Sequence, residues 1–235
     1  MIIGLLSDAH GNLEAFEKAR RVLARLGAAE LYFLGDAVGY LPGAEVATRI
    51  VDLAMPAVRG NHEAMLLDPA CGRSPRDAVY RLAETAAATP GRVLRALKAW
   101  PERRDLQLGC GRALLVHGSP ADHLWGYVYP NTELAGLAAD PSLAAEFVFM
   151  GNTHRPFVKA VGGVTFVNVG SCGLPRDVGH LGAACLLDDQ TGQVRIVRFD
   201  IRAETAAALR RCGPVHARVL ETFGRQQTGV VGELV

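Results

Sequence analysis

The chain has 235 residues, of which 49% are hydrophobic and 21% charged. That composition supports a buried core and excludes a disordered chain. Lysine and arginine number 25 against 24 acidic residues, a formal charge of +1, which argues against extended tracking along nucleic acid or an anionic membrane.

Ile2 to Leu6 is a short apolar run with no basic residues before it, so it reads as a strand and not as a targeting signal. Asp8-Ala-His10-Gly-Asn12 breaks the run. Leu13, Phe16, Ala19, Leu23 and Leu26 then recur at steps of three and four, the period of an amphipathic helix. Asn12 stands at its N-cap and Gly27 just past its end. A second run, Leu31 to Leu34, stops at Gly35-Asp36, and helical spacing follows over about 45–54. A third run, Pro56 to Val58, stops at Gly60-Asn61-His62-Glu63. Strand, polar loop and helix in repetition predict a layered α/β sheet with functional loops at the carboxyl ends of the strands.

Residues 64–100 are rich in Ala and Arg and read as two helices. From Asp105 the pattern turns to strands. Leu106–Leu108 and Ala113–Val116 flank a turn at Gly109-Cys110-Gly111, and the second of them ends at His117-Gly118. Phe147 to Met150 ends at Gly151-Asn152-Thr153-His154. Hairpins follow around Gly162-Gly163 and around 188–192. The stretch from Arg202 to Phe223 is helical, broken at Gly213-Pro214, and the tail after Gly224 is expected to fray. No boundary or linker divides the chain. The expectation is one domain over 1–235, with a helical stretch at about 64–100 and a C-terminal helical segment at about 202–224.

No uncharged apolar run nears a membrane span. The five cysteines form no C-x-x-C pair and read as free thiols in a reducing cytoplasm.

Asp8-x-His10, Gly35-Asp36, Gly60-Asn61-His62-Glu63, His117-Gly118 and Gly151-Asn152-Thr153-His154 share one property: each follows an apolar run. A sheet that gathers strand ends at one edge lets these groups converge. Carboxylates, imidazoles and an amide oxygen suit divalent transition metals, whereas all-oxygen sites for Mg²⁺ or Ca²⁺ need no histidine. The candidate ligands outnumber what one ion takes, so two ions sharing a carboxylate is the economical count.

In this order the motifs resemble those of the calcineurin-like metallophosphoesterases. Gly35-Asp-Ala-Val-Gly-Tyr40, Arg59-Gly-Asn-His-Glu63, Val116-His-Gly-Ser-Pro120 and Asn168-Val-Gly-Ser171 look like the small bacterial and archaeal, phosphodiesterase-like branch. The resemblance implies a four-layer α/β/β/α sandwich of two facing mixed sheets. It implies that Asp8, His10 and His154 hold one ion, Asp36 bridges, and Asn61 and His117 hold the second. His62 matches the family's catalytic histidine, and Asn61 and His62 would contact substrate. The cofactors would be two divalent transition-metal ions (Mn, Fe, Zn or Ni, with Mn favoured). The reaction implied is hydrolysis of a small phosphoester by in-line attack of a hydroxide bridging the ions, with His62 assisting the leaving group.

Diesters are favoured over monoesters because no Lys or Arg cluster stands out to capture a dianion. A broad phosphomonoesterase, a phosphoprotein or nucleotide phosphatase, or a non-catalytic protein-binding scaffold of the same fold are the alternatives. No membrane or extended nucleic-acid partner is expected, and the sequence is compatible with a homo-oligomer.

Two positions depart from the family pattern. Asn152 stands where a ligand histidine is usual, so the second ion is expected to bind more weakly. Gly39 stands where an acid usually orients the catalytic histidine. Outside the series, Glu63 reads as a first-turn acid complementing the helix dipole. Arg155 and Arg176 could each contact phosphate or lie on the surface. His123, Trp125, Tyr127 and Tyr129 are expected to pack as a half-buried strand or loop, with a wall for the leaving group as the alternative. His180 and His216 have no motif partner.

Overall fold

The computed structural model describes residues 1–227 and 229–235. Strand β1 (Ile2–Leu6) buries its last four residues, as a central strand must. Helix α1 (Leu13–Arg25) begins where the Asn12 side chain accepts a hydrogen bond from the Ala15 amide. The apolar stripe Phe16, Ala19, Val22 and Leu23 is buried. Strand β2 (Glu30–Phe33) pairs in parallel with β1. Helices α2 (Glu45–Asp52) and α3 (Asn61–Leu67) follow.

The third apolar run does not form a strand. It is reduced to one bridge between Phe33 and Ala57. Pro56 has no amide hydrogen to give to a ladder, and the link consists of Phe33 donating to the Pro56 carbonyl and Val58 donating to Phe33.

The region beyond α3 breaks into more pieces than its spacing predicts: α4 (Asp77–Tyr80), α5 (Leu82–Ala88) and α6 (Gly91–Ala99). Arg81 has φ 55°, a left-handed conformation that ends α4 and starts α5 on a new axis.

Strands β3 (Arg103–Leu108) and β4 (Gly111–Val116) form the expected hairpin. After the short α7 (Ala135–Ala138), β5 (Phe147–Met150) lies parallel to β4. A second hairpin pairs β6 (Phe157–Val161) with β7 (Val164–Asn168). A third pairs β8 (Leu181–Asp188) with β9 (Val194–Asp200). The chain continues through α8 (Arg202–Cys212) and α9 (Ala217–Phe223). Contrary to the expected fraying, β10 (Glu233–Leu234) pairs in parallel with β9, and the Val231 carbonyl accepts from the Arg198 guanidinium. An unpaired β9 edge would otherwise lie open.

Two mixed five-stranded sheets result, ordered β10-β9-β8-β1-β2 and β3-β4-β5-β7-β6. Leu5, Leu34, Phe149, Val167 and Leu187 belong to the dry layer between them. Each such side chain contributes about 1.5–3 kcal/mol by leaving water. Phe16, Phe33, Ile50 and Leu97 pack the helical layer on the first sheet. Val128, Leu134 and Leu143 cover the second sheet, in one cluster with Phe166 of β7. The four layers of the expected sandwich are thus present, the fourth being loop with one turn of helix.

Candidate metal centre

The ends of β1, β2, β4 and β5 meet at one edge, with the start of α3. They come from both sheets, and not from the single sheet edge that the strand pattern alone suggests. The loops turn sharply there. Six of the eight non-glycine residues with positive φ among the described residues are Asp8, His10, Asp36, Tyr40, Asn152 and His154. Asp, Asn and His tolerate the left-handed region better than most residues, so ligand chemistry and backbone demand select the same residue types. The loops are also tied together: the Asp8 amide donates to Gly35, His10 to Asp36, and Asn152 to the Asp8 carboxylate.

Asp8, His10, Asp36, Asn61, His62, His117 and His154 are all buried. Three overlapping trios have ligand atoms within 4.8 Å of one another: Asp8, His10 and His154; Asp8, Asp36 and His117; His10, Asp36 and His62. His154 Nε2 stands 3.3 Å from Asp8 Oδ1, and His117 Nε2 stands 3.4 Å from Asp36 Oδ1. His10 Nε2 and His154 Nε2 are 3.0 Å apart.

The far nitrogens of three imidazoles are pinned. His10 Nδ1 is 3.0 Å from the Val38 carbonyl, His117 Nδ1 is 2.7 Å from Leu34, and His154 Nδ1 is 2.6 Å from Leu174. A carbonyl at Nδ1 fixes the tautomer that leaves Nε2 free to ligate. Asp8 Oδ1, Asn61 Oδ1 and His117 Nε2 are buried without a hydrogen-bond partner. Orphaned polar atoms at this depth are rare and call for a partner such as an ion. The donor set therefore fits divalent transition metals.

His62 is held differently. Its Nδ1 is buried and has no partner among the described residues, unlike the three pinned imidazoles. Its ring stacks on Tyr40 with centroids 5.0 Å apart, and Tyr80 lies 4.7 Å away on a tilted axis. Gly39 closes the remaining side: a Cβ there would stand 2.1 Å from His62 Nδ1. The acid usual in the family is thus replaced by an aromatic clamp and a bare backbone.

Burial pushes the His62 imidazole down to about 4, with Asp36 partly opposing. Burial also lowers His10 and His154, Arg176 adding to the effect at both. At His117 the burial penalty is outweighed by Asp36, and the imidazole rises to about 10. Asp36 is itself held far below the carboxylate range: burial opposes ionisation, but His117 and His62 override it.

Glu63 does more than complement a dipole. Its buried carboxylate accepts from the amides of Asp36 (2.8 Å), Ala37 (2.7 Å) and Gly60 (2.8 Å), and so fixes the turn that presents Asp36. Burial, with Asp36 nearby, raises it to about 7. A glutamate three residues after the N-cap Gly60, the acidic half of a capping box, was the available signal. Asn152 donates through Nδ2 to the Gly126 carbonyl, which leaves Oδ1 as its remaining polar atom.

His123 is half-buried, as expected, whereas Trp125, Tyr127 and Tyr129 are 46%, 52% and 37% exposed. Tyr127 stacks on Tyr129. The expected lack of a basic cluster also fails. Arg76, Arg176, Arg218 and Arg225 line one cleft with Tyr40 and Tyr80. They come from separate segments, so no run of basic residues marks them. Arg155 is half-buried and does not line that cleft. His216 caps α9, and His180 meets Gln226.

Residues 1–192 match the model of the calcineurin-like phosphoesterase superfamily domain. The chain belongs to that superfamily. A metallophosphoesterase of Sphaerobacter thermophilus is 25% identical, with 95% of this chain and 98% of that one covered and a TM-score of 0.78. A hypothetical protein of Pyrococcus horikoshii shares the fold, at 20% identity, a TM-score of 0.80, and 95% and 98% coverage. An uncharacterised protein of Methanocaldococcus jannaschii is 25% identical over 86% of this chain and 89% of its own length. As a calcineurin-like phosphoesterase the chain is a hydrolase with a candidate Asp/His metal site. No helix among the described residues is long and apolar enough to cross a membrane.

Proposed function

We propose that this calcineurin-like phosphoesterase hydrolyses small phosphoesters, with diesters preferred, at a two-ion centre. Asp8, His10 and His154 would hold one ion, Asn61 and His117 the other, and Asp36 both. One observation carries the reading: Asp8 Oδ1, Asn61 Oδ1 and His117 Nε2 are buried, make no hydrogen bond and are assigned by sequence to this ligand set. Two such ions supply Lewis acidity and lower the pKa of bound water.

The protein's own part is to orient and to handle a proton. The carbonyls of Val38, Leu34 and Leu174 hold three imidazoles with Nε2 inward. His62, free of such an anchor, stands between Tyr40 and Tyr80 and, kept neutral by burial, assists the leaving oxygen by donating a hydrogen bond from Nε2. Asn61 at the start of α3 contacts the phosphoryl group. Diesters are preferred because no Lys or Arg stands among the buried residues of the ligand cluster to take a second charge on the scissile group. Mn²⁺ is the favoured ion, and five free cysteines suit a reducing cytoplasm. The whole chain would act as one domain.

The test is turnover of aryl phosphodiesters and monoesters by chelated and Mn²⁺-reloaded protein. His62→Ala is expected to lose about 10²–10⁴-fold in kcat. Activity that survives chelation or the loss of His62 would overturn the mechanism. Elemental analysis is expected to find fewer than two ions per chain after dialysis, because Asn152 replaces a stronger ligand. A stable ratio of two would refute that weakness.

A further inference from the structure

The cleft beside the metal centre has a volume of about 580 Å³ and is lined by Arg76, Arg176, Arg218 and Arg225. That is the size of a small-ligand site. We propose that it binds a second phosphate of the substrate, so that the preferred substrate is an organic phosphodiester carrying a further phosphate remote from the scissile one. This rests on the hydrolytic reading of the metal centre.

Tyr40 is the wall shared by the two sites. One edge of its ring meets His10 with centroids 4.7 Å apart, and its face stacks on His62. Its hydroxyl accepts from Arg176 at 2.7 Å, and Arg176 also lies 5.9 Å from the ring centroid. A ligand seated on the arginines therefore reaches the catalytic imidazole after the width of one ring.

Charge favours a polyanion in the cleft. Glu221 is the acidic side chain in the lining. Among the described residues none of the four guanidinium groups joins an ion pair, whereas Arg20, Arg49 and Arg211 elsewhere are held by Glu17 or Glu14. Four like charges around one concavity repel each other until an anion enters. Arginine's planar fork binds phosphate oxygens in pairs. A metal centre that needs only the scissile phosphoryl group gives no use for this second positive site, and a remote phosphate does.

Two chromogenic diesters isolate the effect: thymidine 5′-(4-nitrophenyl phosphate) and the same ester bearing a 3′-phosphate. They share leaving group and scissile bond. Mn²⁺-loaded protein is expected to prefer the 3′-phosphorylated ester by about tenfold or more in kcat/KM, mainly through KM. In the Arg218→Gln, Arg225→Gln double variant the ratio is expected to fall to about one. The ratio is taken within each protein, so a general loss of activity cancels. No preference in the native protein, or a preference the variant retains, overturns the proposal. Pyrophosphate that changes turnover of both esters equally, with no preference between them, would mark a site for a free regulatory anion and also overturn it.

If neither ester is turned over, the hydrolytic reading fails while the cleft is still decided by titration calorimetry. Chelated protein is then titrated with thymidine 3′,5′-bisphosphate. Binding that the double variant loses supports the phosphate subsite, and no binding overturns it.

Discussion

His62 shows how one residue's role depends on what its neighbours lack. Gly39 has φ 93°, and any Cβ there would strike His62 Nδ1. Restoring the acid usual in the family by Gly39→Asp is therefore expected to harm the enzyme. It displaces the imidazole, lowers kcat by about tenfold or more, and costs about 1–3 kcal/mol of stability through the strained backbone. Turnover and thermal unfolding of the variant check both, and an improved kcat would refute the clamp. Glu63→Gln keeps the shape but turns a donor toward backbone amides that need an acceptor. The Gln oxygen can keep the two bonds made by Oε2, so the Ala37 amide is left facing a donor; a loss of about 1–3 kcal/mol is expected, read as a fall in Tm of about 2–12 °C. Asp8, His10 and His62 were legible in the sequence because spacing and residue type coincide there. Tyr80, Arg76, Arg218 and Arg225 were not, and Arg176 stood only as one of two open choices, because only tertiary folding brings these residues to one cleft.

At the scale of elements, α1 illustrates a cap that does more than start a helix. Asn12 accepts from Ala15 and donates through Nδ2 to the Gly173 carbonyl and to Thr205 Oγ1. It joins β1, the loop after β7 and helix α8. Asn12→Ala is expected to cost about 2–4 kcal/mol, above the roughly 1 kcal/mol of an ordinary cap, and denaturant titration measures the difference. Periodicity located α1 and the three hairpins because their apolar patterns are local. It failed where long-range geometry decides. Residues 56–58 have an apolar run but a proline in it, and pair only through Ala57. Residues 64–100 keep helical spacing across Arg81, whose left-handed turn no spacing records. The tail is polar and contains glycine, yet β9 offers it an edge.

For the molecule as a whole, the centre links stability to metal and to protons. Asp36 raises His117 to about 10 in the metal-free protein. A pKa raised above the unfolded value contributes stability that is complete below about 6.5 and lost as pH rises through about 10. Ligation needs the neutral imidazole, so binding Mn²⁺ at pH 7.5 is expected to release about one proton. Calorimetry in buffers of different ionisation enthalpy measures it, and a buffer-independent heat would contradict the His117 assignment. Chelation is expected to lower Tm, since an ion at one hundred times its Kd adds about 2.7 kcal/mol.

The arrangement of the two sheets also sets when that gain is felt. The second sheet is drawn from one continuous stretch, β3 to β7, whereas the first joins β1 and β2 to β8 and β9 across the length of the chain. Ligands from both sheets can meet only after the two sheets have packed on each other, and late contacts leave the rate of folding almost unchanged. Bound metal is thus expected to slow the unfolding arm of a chevron and leave the refolding arm in place. The ions would act as a latch on a finished structure: metal supply would govern how long a folded molecule lasts, not how quickly it forms.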